Sequence, residues 1–230
     1  MQLVILLAEL FALYLFSRWV TTSLYAFFFL LLRSRSMSVS IVTLLLFPGT
    51  VIHELAHLFT AEIMGVHTGK LTLAPDLPAG RQESIRGPDV QTGSVAIVKT
   101  DPLRRALIGL APLFIGIVAL IAISYFINQQ FNNETIVTIG LYYLLFSISN
   151  AMFPSSTDMK GVWPLAIVIL LCVAAASFAG IRLSLSGQAL EVVMKVITSL
   201  TDHLKIVLAL NGVGLLVFQV LIVAVRKLHR

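Results

Sequence analysis

Residues 39–66 read VSIVTLLLFPGTVIHELAHLFTAEIMGV. The run is apolar at both ends and carries His53, Glu54 and His57 near its middle. A helix that crosses a bilayer needs about 20 such residues. Ionisable groups at that depth are costly unless they pair with one another or bind an ion. Pro48-Gly49 precedes them, so the helix either kinks there or begins its second half there. The stretch predicts a membrane protein and, inside it, a polar site.

The remainder of the chain agrees. Of its 230 residues 58% are hydrophobic and 12% charged, with a mean hydropathy of +0.95. A soluble domain usually carries about 25% charged residues. An ordinary soluble enzyme, a disordered chain and a coiled coil are excluded, and an all-α polytopic membrane protein of about six spans is expected as one domain over residues 1–230. Leu3 to Leu32, interrupted by Ser17, Arg18 and Trp19, reads as one long tilted helix. Arg18 either snorkels or faces a polar interior. Further spans are predicted at Val39–Val66, Leu103–Ile127, Ile136–Phe153, Val162–Ile181 and Leu204–Val225. Gln188 to Leu200 has apolar residues at helical spacing, which suits an interfacial helix or an extension of the last span.

Residues 67–101 form the long polar segment. Two β-prone runs, Lys70–Ala74 and Ser94–Thr100, flank a Pro/Gly-rich centre from Pro75 to Gly93. They predict a small β-loop, or a simple connector, with a mobile centre. Its exposed edge could hold an extended segment by strand addition, in which case proline near Val95 or Ile97 reduces binding.

The formal net charge is +5. The basic residues flank apolar segments, so bilayer orientation explains them better than nucleic acid does. With six spans and both termini cytoplasmic, ten basic residues fall on the cytoplasmic side and five opposite; Arg33 and Arg35 run against this assignment locally. The single cysteine, Cys172, rules out a disulfide within the chain and argues against a Cys-based metal site. No positive region precedes the first apolar run, so no cleaved signal is expected. Asn133-Glu134-Thr135 fits a glycosylation acceptor, a pattern short enough to arise by chance.

His53-Glu54-Leu55-Ala56-His57 carries the chemistry. Positions i and i+4 share one helix face, so both imidazoles can hold one Zn²⁺, with Glu54 as general base on an activated water. The alternative is a buried polar cluster satisfied by neighbouring helices. A catalytic zinc usually has three protein ligands and an open position. Asp158, in SNAMFPSSTDMKG (149–161), is the best third candidate. A helix stopping at Pro154 would place it in irregular backbone at membrane depth; otherwise it is a loop aspartate paired with Lys160. Glu62 points around the helix from the metal face, and His67 lies beyond the helix end. Ile63 occupies the position where an extended zinc motif has a third histidine. Glu191 and His203 read as surface residues near a membrane boundary.

These residues resemble the site-2 protease family of intramembrane zinc metalloproteases. HELAHLFTAEIMGV (53–66) is similar to the family's HExxH followed by a small residue and Gly-Val. Asn150 through Asp158 has the family's Asn-to-Asp spacing, with Pro154 one position later and Met159-Lys160 before Gly161. Ala111-Pro112-Leu113-Phe114-Ile115-Gly116 resembles the proline-containing segment that opens the third core helix. The likeness covers a catalytic core of about residues 40–165, with the β-loop over about 67–101.

The resemblance implies peptide-bond hydrolysis within the bilayer, on membrane-spanning or membrane-associated proteins, with one zinc on His53, His57 and Asp158. Glu54 moves the proton. Asn150 either donates to the substrate backbone or developing oxyanion, or makes an interhelical hydrogen bond. Thr50, Thr60, Ser147, Ser149, Ser155 and Ser156 either line a wet cavity or pack helices. A different reading is a non-catalytic scaffold or a metal- or proton-handling transporter; a transporter would often show an internal repeat, and none is visible. Small size suggests a bacterial or archaeal cytoplasmic membrane, with a eukaryotic organelle as the alternative.

Overall fold

A computed structural model describes residues 1–72, 94–97, 100–130, 135–178 and 187–228. Seven helices appear among them: α1 Gln2–Leu32, α2 Arg35–Leu45, α3 Phe47–Ile63, α4 Pro102–Gln130, α5 Thr135–Ala151, α6 Ser156–Phe178 and α7 Gln188–Leu228. Strands β1 Thr68–Thr72 and β2 Ser94–Ile97 pair antiparallel. The Pro75–Gly93 centre lies outside the described residues. The chain is an all-α membrane protein by length and composition. Four helices are long and apolar enough to cross a bilayer, or five spans when bent α2 and α3 count as one.

The first apolar stretch is indeed one helix, about 46 Å long at 1.5 Å per residue. The second is broken by 73° between α2 and α3, with Pro48 in the first turn of α3. Proline is tolerated there because the first-turn N–H groups have no intrahelical partner. Of the two readings for Gln188–Leu200, the structure shows the extension: α7 is continuous from Gln188 to Leu228.

Contacts along α1 give the topology. Thr198 Oγ1 donates to Gln2 Oε1 at 3.1 Å, and Gln219 Nε2 donates to Ser23 Oγ at 3.1 Å. Phe27 meets Phe218, and Leu30 and Arg33 share a cavity with Val223 and Arg226. α1 and α7 therefore run parallel. α5 is antiparallel to both, since Tyr14 meets Phe153, Ser17 meets Asn150 and Phe146 meets Gly214. Gly116 packs on Met152, about equally far from the short α4–α5 connection, so those helices form an antiparallel hairpin.

Six spans were expected; among the described residues four or five candidates are found. An irregular stretch at 152–155, with Pro154 in it, separates α5 from α6; α6 is long and apolar enough to cross a bilayer, and α5 is a shorter apolar helix. Arg33 lines one cavity with Arg226 and Lys227.

The main apolar core joins α1, α4, α5 and α7 through Leu13, Leu120, Leu145, Ile148 and Val207. α6 beyond Trp163 is exposed along almost its whole described length, as is Cys172. In a membrane protein that surface faces lipid.

Candidate metal centre

α3 supplies two histidines one turn apart, and its C-terminus is tightly fixed. Gly65 adopts φ 67°. Val66 N–H donates to Ala61 O at 2.8 Å and Gly65 N–H to Glu62 O at 3.0 Å. This is a Schellman ending, which needs a left-handed residue and favours glycine. Val66, Ala61 and Ile108 then close a small core against α4. The Gly-Val after the histidine helix thus has a structural cause: it docks α3 on the helix that orients His57.

Among the described residues, one group of three could hold a metal ion: His53, His57 and Asp158. The two Nε2 atoms are 3.2 Å apart. Asp158 Oδ1 is 3.4 Å from His57 Nε2, and its other oxygen, Oδ2, is 3.8 Å from His53 Nε2. Ligands about 2.1 Å from a tetrahedral ion are about 3.4 Å from each other. The observed separations bracket that value.

Hydrogen bonding fixes which atoms face the centre. His53 Nδ1 lies 2.7 Å from Ala151 O, and His57 Nδ1 lies 2.8 Å from Ile108 O. A carbonyl can only accept, so both Nδ1 atoms carry the proton and both Nε2 atoms offer lone pairs. Two lone pairs and a carboxylate then converge with no proton among them. A cation satisfies that donor set, and backbone carbonyls behind ligating histidines are the usual support. The residues fit a metal ion.

Asp158 is placed by the start of α6. Ser155 N–H donates to Asp158 Oδ2 at 2.7 Å, and Ser155 Oγ–H donates to the same oxygen at 2.6 Å. The Asp158 N–H points back at Ser155 Oγ at 3.3 Å. This is a capping box, a serine with an acid three positions on. The expectation of Asp158 in irregular backbone is corrected: it sits in the first turn of α6. The irregular stretch is 152–155. Lys160 is exposed, and the recorded ion-pair partners of Asp158 are the histidines.

Glu54 is buried, at 5% exposure, beside His53. It lies close enough to feel the charges of His53, His57 and Asp158.

Asn150 joins a different set of bonds. Its Nδ2 donates to Phe146 O at 2.8 Å and to Asn211 Oδ1 at 2.6 Å. Asn211 Nδ2 donates to Val207 O at 3.0 Å and to Ser149 Oγ at 2.8 Å. Ser17 Oγ donates to the Asn150 carbonyl at 3.1 Å. Each amide is thus oriented by the carbonyl four residues back on its own helix. Both protons of Asn150 Nδ2 are spent, and the interhelical reading describes them. Asn150 Oδ1 is buried without a hydrogen-bond partner.

Asn211 is fully buried and the sequence reading missed it. Its signal was an amide inside the apolar run LALNGVGLL (208–216); the spacing does not reveal its partner. Asn211→Leu is expected to destabilise the protein by about 1–2 kcal/mol, because Asn150 and Ser149 lose partners across helices. Thermal unfolding in detergent checks this; a midpoint unchanged from wild type contradicts it.

Several hydroxyls named as cavity candidates are packing groups. Ser147 Oγ accepts the Gly49 N–H at 2.9 Å, Thr50 Oγ1 donates to Leu46 O, and Ser149 Oγ donates to Phe146 O. Glu62, His67 and Glu191 are exposed and do not join the cluster. Compared with known proteins, the chain matches no family model, no curated protein and no solved structure.

Proposed function

We propose that this protein is an intramembrane zinc endopeptidase of the site-2 protease type, acting on membrane-spanning or membrane-associated proteins. The observation that carries the reading is the pair of imidazoles held with Nε2 inward, one turn apart, against a carboxylate from a separate helix. Two histidines and one carboxylate with open positions suit a catalytic zinc. They also suit a non-haem iron centre. The buried carboxylate of Glu54 beside His53 favours hydrolysis.

Bound there, zinc would supply Lewis acidity, lowering the pKa of a water and polarising the scissile carbonyl. His53, His57 and Asp158 hold the ion. Glu54 takes a proton from the attacking water and passes it to the leaving amide nitrogen. Asn150, with both amide protons spent on Phe146 O and Asn211 Oδ1, holds α5 to α7 and has no donor left for an oxyanion. The exposed apolar flank of α6 keeps the site within lipid, where spanning substrates are found.

The test is metal analysis of detergent-purified wild type and Asp158→Ala, with cleavage of a transmembrane substrate followed in parallel. About one zinc per chain in wild type, lost in Asp158→Ala along with cleavage, supports the reading. Retention of full zinc by Asp158→Ala removes Asp158 as third ligand. A wild type that takes up no metal moves the protein to a scaffold or transporter role.

A further inference from the structure

α4 stays helical through Pro112, which is buried. A proline nitrogen carries no hydrogen. In an uninterrupted helix the N–H at position 112 would bond the carbonyl of Ile108, four residues back. That carbonyl instead accepts Nδ1–H of His57 at 2.8 Å.

The same accounting holds at the end of α5. The donor four residues beyond Asn150 is Pro154, which has no N–H, and the Asn150 carbonyl is taken by Ser17. The donor four residues beyond Ala151 is Ser155, whose N–H is used by Asp158, and the Ala151 carbonyl is taken by His53. Each histidine of the cluster is therefore oriented by a helix carbonyl whose ordinary donor has been removed or diverted. Elsewhere in a helix interior such a carbonyl is already committed, and a side-chain donor has to share it.

We propose that Pro112 is a positioning residue for the metal centre. By withholding an N–H it reserves the Ile108 carbonyl for His57, and so fixes which imidazole nitrogen faces the ion. The inference rests on the metal reading above. Proline inside a helix is strongly disfavoured, and at this position the lost backbone bond is replaced by one to a metal ligand. Replacing the proline by a residue with an N–H gives the carbonyl back to the helix and leaves His57 free to change tautomer and swing.

Pro112→Ala and Pro112→Val test this in the full chain in detergent. Both restore the N–H, and valine also refills the ring's volume, so a loss common to both is not a packing defect. Zinc affinity is measured by competition with a chromophoric chelator. Both variants are expected to bind zinc about tenfold or more weakly, in the range for removed supports of ligating histidines. Pro164→Ala removes a proline from the interior of α6, where the carbonyl it leaves open, that of Lys160, is not the acceptor of either histidine, and is expected to keep wild-type affinity. Imidazole ¹⁵N spectra of the metal-free protein give a second readout: a single Nδ1–H form of His57 in wild type, and mixed forms in the Pro112 variants. Wild-type affinity and an unchanged His57 spectrum in both Pro112 variants overturn the proposal. A wild type that binds no metal overturns the metal reading as well, so the two failures are told apart.

Discussion

Glu54→Gln is expected to lower cleavage by about 10²–10⁴-fold while the protein keeps its zinc. Glutamine has nearly the same shape and keeps the polar contacts of a buried side chain, but it cannot take a proton from water. Glu54 is not one of the three cluster ligands, which are His53, His57 and Asp158. Metal content and chemistry should therefore separate in this variant, whereas in His57→Ala both should fall together. Cleavage within a few-fold of wild type would remove Glu54 as the base. Loss of zinc in Glu54→Gln would instead make it a ligand, and the division of roles drawn from the HELAH pattern would have to be redrawn.

The cluster was legible in the sequence because its elements are local. His53 and His57 share a helix face by spacing alone, and the cost of burying them in an apolar run gives the pattern its meaning. Asp158 came from its place just after Pro154 and from the family resemblance, but the reason for its position did not. The capping box with Ser155 becomes visible once the start of α6 is known. Topology was less legible. Hydropathy marks apolar segments but not where they bend, so the 73° break between α2 and α3 did not show in it. The parallel packing of α1 on α7 is information about contacts far apart in the chain, such as Gln2 with Thr198. Asn211 belongs to the same class. An amide in an apolar run announces a partner but not which one, and the partner lies 61 positions away.

Gly49→Ala is the second variant with a large expected effect, and it acts at a distance from the chemistry. A Cβ on Gly49 would run into Ser147 O and stand 2.9 Å from Ala151 Cβ. Comfortable carbon contacts are about 3.5–4.0 Å, and the nearest obstacle is backbone, so α3 and α5 must part by about 1 Å. The Gly49 N–H to Ser147 Oγ bond lies across the same contact. One turn further along, the same two helices make the His53 Nδ1 bond to Ala151 O. Separating them therefore loosens a metal ligand together with the fold. The expected results are a fall of about 10–100-fold in zinc affinity and destabilisation of about 1–3 kcal/mol from overpacking. Gly140→Ala is the control. Gly140 is also a helical glycine, but a Cβ there meets nothing within 4 Å, so the change should leave zinc affinity alone and hold or slightly raise stability. Equal zinc affinity in Gly49→Ala and Gly140→Ala would mean that the α3–α5 contact does not set the height of His53, and that Ala151 is a passive acceptor.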